Sequence, residues 1–214
     1  CNINTKNCEI CMRFGDKVPF ESVTVIKAVG NSANAAVCGS RLGLKTSLIA
    51  TVGNDSDGVD CKEELEKNKV STEFIQTDPN NKTNYHYVLW YGNERTILVK
   101  HEQYKYTLPT IHKSPTWIYL SSMGKESTSI YKEIENYIVD NKEVKLAFQP
   151  GTFQMSLGKE FLKGIYKKTE VFICNVEEAK RILETKETDI KKLMSMISTL
   201  GPKIVCITDG PNGA

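Results

Sequence analysis

WIYLSSM at 117–123, VKLAFQP at 144–150, VFICN at 171–175 and KIVCIT at 203–208 decide the fold, because each is a short, nearly all-apolar run. Between them lie IYKEIENYIVDNK (130–142), LGKEFLKGIYKKT (157–169), VEEAKRILE (176–184) and DIKKLMSMISTLG (189–201). Apolar residues recur in these segments every three or four positions, as on one face of a helix. Buried strands alternating with amphipathic helices predict an α/β fold with a parallel sheet covered on both faces and right-handed crossovers. Ligands of such folds sit at the carboxyl ends of the strands. The polar residues there are Ser121, Ser122, Gln149, Asn175, Thr208 and Asp209.

Upstream the style changes. Ile10, Met12 and Phe14 alternate with polar neighbours, VTVIKA (23–28) is β-branched, and TSLIATVG (46–53) is an apolar run closed by glycine, so three strands are expected. YHYVLWY (85–91), the Gly92-Asn93 turn and RTILVKH (95–101) predict a hairpin. NSANAAVCGSRLG (31–43) has the small residues of a helix pressed against a sheet, and VDCKEELEKNK (59–69) reads as a surface helix.

Composition sets bounds. A chain of 214 residues with 40% hydrophobic content can bury one substantial core and reads as one domain. Its 28 Lys and Arg against 26 Asp and Glu are interspersed, which gives no footprint for nucleic acid. No apolar run reaches the roughly 18 residues of a membrane span, so no membrane partner is expected. Of seven cysteines, Cys38, Cys61, Cys174 and Cys206 lie in apolar or helical patterns as buried free thiols, and a reducing cytoplasm fits this usage best.

Several chemistries lack their residues. Cys8 and Cys11 have no second pair to complete a zinc site, and His86, His101 and His112 lack metal-binding spacing and read as surface or half-buried histidines. Neither the dinucleotide glycine fingerprint nor the phosphate-binding G-x-x-x-x-G-K-[ST] loop is present.

Three short patterns remain, each with two readings. In Gly30-Asn31-Ser32-Ala33-Asn34, a glycine and a helix start with free N–H groups suit sugar hydroxyls, or form an ordinary N-cap. Asn175-Val176-Glu177-Glu178 ends a strand in an amide and acids, which serve a site or simply complement the helix dipole. Thr208-Asp209-Gly210-Pro211-Asn212-Gly213 lays backbone N–H groups on phosphates, or is a plain turn.

Together and in order, these patterns resemble the PfkB-type (ribokinase-like) carbohydrate kinase family. GNSANAAVCGSRLGLKTSLIATVGNDSDG (30–58), with the G-x-D-x-x-G of Gly53, Asp55 and Gly58, resembles that family's amino-terminal signature. NERTILVKH, FQPGT, NVEEA and TDGPNGA follow in the family's order. The resemblance implies a three-layer α/β fold, its sheet mostly parallel, and one domain over 1–214 with a small β-sheet lid from strands at about 9–28 and 84–102. It further implies ATP-dependent phosphorylation of a hydroxyl on a sugar, nucleoside or related small molecule, with Mg²⁺ as cofactor. Gly30, Asn31, Asn34 and Arg95 would bind the substrate, Asn175, Thr208, Gly210 and Gly213 the nucleotide, and Glu178 the metal. A homodimer through the lid is compatible with the resemblance.

The sequence departs from the family in four places. Val29-Gly30 stands where two glycines are usual, and Gln149 where an aspartate or asparagine is common. The opening strand with its substrate-binding aspartate is absent, as is the Gly-Ala-Gly-Asp stretch carrying the catalytic base. We therefore expect a chain incomplete at both ends and inactive alone, its base lying beyond Ala214. The competing expectation is a noncatalytic sugar- or nucleoside-binding protein of the same fold.

Overall fold

The computed structural model describes residues 10–92 and 94–214. Its regular structure begins with α1 (Asn31–Arg41), β1 (Thr46–Ser47), β2 (Ala50–Gly53), α2 (Ser56–Lys67), β3 (Val70–Ser71) and β4 (Ile75–Asp78). A hairpin of β5 (Tyr87–Tyr91) and β6 (Glu94–Leu98) follows. Then come β7 (Trp117–Leu120), α3 (Thr128–Asp140) and β8 (Lys145–Phe148). Three short helices, α4 (Thr152–Ser156), α5 (Gly158–Phe161) and α6 (Lys163–Lys168), lead into β9 (Thr169–Asn175). The chain continues through α7 (Val176–Leu183), α8 (Ile190–Ser198), β10 (Ile204–Thr208) and a 3₁₀ turn at Gly210–Asn212.

Four parallel strands in the order β10-β9-β8-β7 form the main sheet. Alternation along each strand sends Leu120, Leu146, Phe148, Phe172, Cys174 and Ile207 to one face, where none is more than 5% exposed. Residues of α3, α6, α7 and α8, among them Ile134, Tyr166, Ile182 and Leu193, complete that core. Phe148, Tyr166 and Phe172 form a mutually tilted aromatic trio with centroids 5.6 to 5.8 Å apart, an arrangement worth more than its buried area alone. The opposite face carries Tyr119, Ala147, Val171, Ile173 and Cys206, all only half-buried, with Trp117 and Ile204 exposed. Among the described residues, then, the sheet is fully covered on one side only.

The amino-terminal half makes a smaller core from Ala33, Leu48, Val52, Leu65, Val70 and Ile75. Here β1 pairs with β3 and β2 with β4, both parallel.

Several expectations need correction. Residues 10–14 and 23–28 are not strands, and residue 9, where the lid was to begin, lies outside the described residues. Phe14, Val23 and Ile26 stand exposed. Alternation marks which side chains share a face but supplies no neighbouring strand, and this segment has none to bond with. The helix expected at 157–169 is broken because Gly158 adopts φ +81°, a left-handed conformation that ends α4 and restarts the chain as α5. The strand at 46–53 divides into β1 and β2, while β3 and β4, unread in the sequence, pair with them. Cys38 is exposed and Cys61 and Cys206 are half-buried, so of the four expected buried thiols only Cys174 is fully enclosed.

Candidate active site

The carboxyl edge of the main sheet gathers the ends of β7, β8, β9 and β10. Parallel pairing sets Asn175 directly beside Thr208, so two of the expected nucleotide residues are neighbours by register. Asn175 caps α7: its Oδ1 accepts from the Glu178 N–H at 2.8 Å, and Glu178 Oε2 accepts from the Asn175 N–H at 2.8 Å. This reciprocal box satisfies two donors that a helix start leaves free. One carboxylate oxygen of Glu178 is therefore committed to the fold.

Beyond Thr208 the chain curls tightly. Gly210 and Gly213 sit at φ +52° and +100°, and a Cβ on either would meet nothing within 4 Å, so conformation and not crowding demands glycine. Asp209 N–H donates to Gly213 O at 2.7 Å, Asn212 N–H to Asp209 O at 3.0 Å, and Gly213 N–H to Gly210 O at 3.2 Å. These three donors are taken up within the turn. Phosphate recognition here would fall to Thr208, Asn175 and the remaining N–H of Gly210.

At the other end of the edge, α1 abuts β7. Its N-cap is Gly30, so no side chain caps its first turn, and that turn carries no acid. Ser32 Oγ and Ser121 Oγ lie 2.7 Å apart, fastening the helix start to the strand end. Asn31 is exposed beside them. Asn34, one turn further along α1, lines a cavity of about 440 Å³ with Val29, Cys38, Arg41 and Asn68, between residues 26–29, α1 and α2. The structure thus brings Gly30 and Asn31 to the sheet edge through Ser32, with Asn34 one turn behind them.

Gln149 and Ser122, read from sequence as strand-end residues, complete the edge together with Tyr119 and Gln154, which were not. Tyr119 donates to Gln149 Oε1 at 2.6 Å, leaving the Gln149 amide N–H₂ to face outward. Burial pushes the Tyr119 hydroxyl pKa up and keeps it a donor. Gln154, fully buried, accepts from the N–H groups of Met123 and Gly151 and donates to Met123 O, joining the loop after β7 to the start of α4. Ser122 packs against Gly151 so closely that a Cβ there would collide with its hydroxyl. Tyr119 lies within β7 and Gln154 within α4, so neither stood at the strand-end positions that marked Gln149 and Ser122.

The hairpin stands over this region. Register places Trp90 opposite Arg95 and Val88 opposite Ile97, and the Arg95 guanidinium lies 6.0 Å from the Trp90 ring centre. At the hairpin's base His101 packs edge-on against Phe153 of α4, with centroids 5.9 Å apart. β6 ends at Leu98, so the register that pairs Arg95 with Trp90 does not extend to His101.

The G-x-D-x-x-G segment has a structural explanation. Asp55 accepts from Gly58 N–H at 2.9 Å, Thr83 N–H at 2.9 Å and Thr83 Oγ at 2.6 Å. Thr83 Oγ in turn accepts from Gly53 N–H at 3.0 Å. Any Cβ on Gly53 would strike the backbone at Lys82 and Thr83, and one on Gly58 the carbonyl of Gly53. The motif locks β2, α2 and the approach to the hairpin together.

The model of the pfkB family carbohydrate kinases matches residues 6–214. The chain is 25% identical over 197 residues to ribokinase of Mus musculus, covering 86% of this chain and 58% of that protein. It is 23% identical over 227 residues to the ATP-dependent 6-phosphofructokinase of Thermoanaerobacterium thermosaccharolyticum, covering 94% of this chain and 65% of the relative. The chain thus spans less than two thirds of either relative's length. In structure it resembles Arabidopsis thaliana ribokinase complexed with ribose and ATP, with a TM-score of 0.66 at 19% identity over 90% of this chain and 66% of that one. This likeness shows the ribokinase-like fold.

Proposed function

The chain belongs to the pfkB family of carbohydrate kinases, and from that membership we propose that it serves ATP-dependent phosphorylation of a hydroxyl group on a sugar, nucleoside or related small molecule. The observation that carries this reading is the division of one sheet edge. An uncapped helix start meets β7 through Ser32 and Ser121 at one end, and Asn175 lies beside Thr208 at the other. Gly30, Asn31, Asn34 and Arg95 would hold the acceptor, and Asn175, Thr208 and Gly210 the nucleotide, with Gly213 shaping the turn that lines it. Transfer between them is a matter of positioning and charge stabilisation, with the hairpin as a lid that keeps water from competing as acceptor. A homodimer through the exposed hairpin and a cytoplasmic setting belong to the same proposal.

Mg²⁺ would be held through Glu178 together with the nucleotide phosphates. Among the described residues no group of three or more Asp, Glu, His or Cys is placed to hold a metal. A single carboxylate still suits Mg²⁺, which keeps most of its waters and binds mainly through substrate phosphates. When bound it would neutralise charge on those phosphates.

A base is the missing part. Among the described residues no carboxylate stands at a glycine-flanked helix start beyond a strand of the main sheet. The nearest acid, Asp209, accepts from the Asn212 amide at 2.9 Å inside its turn. We propose that the 214-residue chain binds both ligands without transferring phosphate. This same observation favours the second reading, a noncatalytic binding protein. A screen of sugars and nucleosides, with Mg-ATP present or absent, should raise the melting temperature for at least one acceptor while releasing no ADP. Turnover would show that the chain contains its own base, and indifference to every ligand would defeat both readings.

A further inference from the structure

We propose that His86 and His101, paired on the α4-facing side of the hairpin and seated on Phe153, are specificity residues that hydrogen-bond the hydroxyls of an uncharged polyol acceptor. This rests on the kinase reading above and names the chemistry of its acceptor wall. The pairing of β5 with β6 runs from Tyr87 with Leu98 to Tyr91 with Glu94, and His86 and His101 flank its open end. The two rings are 5.2 Å apart and inclined at 76°, and His101 meets Phe153 at 5.9 Å. Phe153 follows the Pro150-Gly151 turn at the carboxyl end of β8, where Gly151 packs on Ser122. The histidine pair therefore overhangs the sheet edge to which α1 is fastened.

A neutral imidazole presents one donor and one acceptor. Two such rings set nearly at right angles present both functions in two directions, which matches hydroxyls on adjacent carbons. Apolar and aromatic residues on one face of the ribbon, Val88, Trp90 and Ile97, offer a surface for the carbon-bound hydrogens of the ligand. The charge environment keeps the pair suited to a neutral ligand. Desolvation, and secondarily the charge of His101, pushes the His86 pKa below its usual value. No ionisable side chain lies in α4, whose sequence is TFQMS. Lys100 and Glu102 neutralise each other at 2.6 Å, and Arg95 is stacked on Trp90. Protonation of His86 on falling pH removes an acceptor and adds a cation, which disfavours a neutral polyol and favours a phosphorylated sugar.

Calorimetric titration of the chain with D-ribose, D-fructose and fructose 6-phosphate, at about pH 7.5 and about pH 5.5, tests this. At least one neutral sugar should bind at the higher pH and weaken at the lower, by less than the roughly 10-fold that an imidazole of ordinary pKa would give, while fructose 6-phosphate moves in the opposite direction. His86→Ala or His101→Ala should weaken the neutral sugar about 10-fold, with Mg-ATP affinity unchanged. The double variant H86Q/H101Q retains a donor and an acceptor at each position, so it should keep most of the affinity and lose the pH dependence. Sugar binding indifferent to the alanine variants, or a pH dependence that survives in the glutamine variant, would overturn the inference and leave the kinase reading intact. Mg-ATP binding with no neutral sugar bound also overturns it alone. If neither Mg-ATP nor any sugar binds, the kinase reading falls with it.

Discussion

Asp55 shows how a single side chain fixes the amino-terminal half. Its carboxylate accepts from Thr83 twice and from Gly58, and these bonds, Thr83 Oγ foremost, hold its pKa below the usual carboxylate value. A lowered folded-state pKa means a stabilisation that is complete above the ordinary carboxylate range and lost as pH falls through the lowered value. Asp55→Ala should therefore cost about 1–2 kcal/mol at neutral pH, the usual loss for an N-cap. The difference from the parent should shrink toward pH 3, which urea denaturation at the two pH values would measure. A gap of the same size at both would mean that the carboxylate charge contributes nothing. At the same scale, Asn34 lies one helical turn beyond Asn31 on the same side of α1, and it lines the cavity beside Arg41 and Asn68.

Elements whose reading depended only on their own residues came out as expected. β7, β8, β9 and β10 were legible because each is a short apolar run between amphipathic helices, a pattern with few alternatives. The segment at 10–28 was misread because strand formation depends on a partner edge, which no local pattern reveals. β3 and β4 escaped for the converse reason: each is short, with one buried apolar anchor apiece, Val70 and Ile75, and pairing alone defines them. The histidine pair was invisible because His86 and His101 are distant in sequence and meet only at the open end of the folded hairpin. At α7 two roles coincide on one residue. Glu178→Gln keeps an oxygen for the N–H of Asn175, so stability should stay within about 0.5 kcal/mol of the parent, whereas Glu178→Ala should lose roughly 1 kcal/mol. If the carboxylate also serves Mg²⁺, both variants should bind Mg-ATP more weakly, the glutamine variant with its stability intact, and recover as Mg²⁺ is raised. Unchanged Mg-ATP binding in Glu178→Gln would reduce Glu178 to a helix cap.

At the scale of the molecule, two cores of unequal completeness meet along one edge. The larger, behind β7–β10, is fully enclosed on one side and fixes the relative positions of Asn175 and Thr208. The smaller holds α1 and the G-x-D-x-x-G lock, and reaches the sheet through the hydrogen bond of Ser32 with Ser121. The proposed kinase site requires that nucleotide and acceptor occupy opposite ends of that edge in one molecule. Amide NMR shifts recorded on adding Mg-ATP, and then the sugar that binds best, map this directly. Nucleotide should move Asn175, Glu178, Thr208, Gly210 and Gly213 while leaving residues 50–78 still, and sugar should then move Gly30, Asn31 and Arg95. Shifts from Mg-ATP concentrated instead around the cavity of Asn34, Arg41 and Asn68, with the ends of β9 and β10 unmoved, would contradict the assignment of the site.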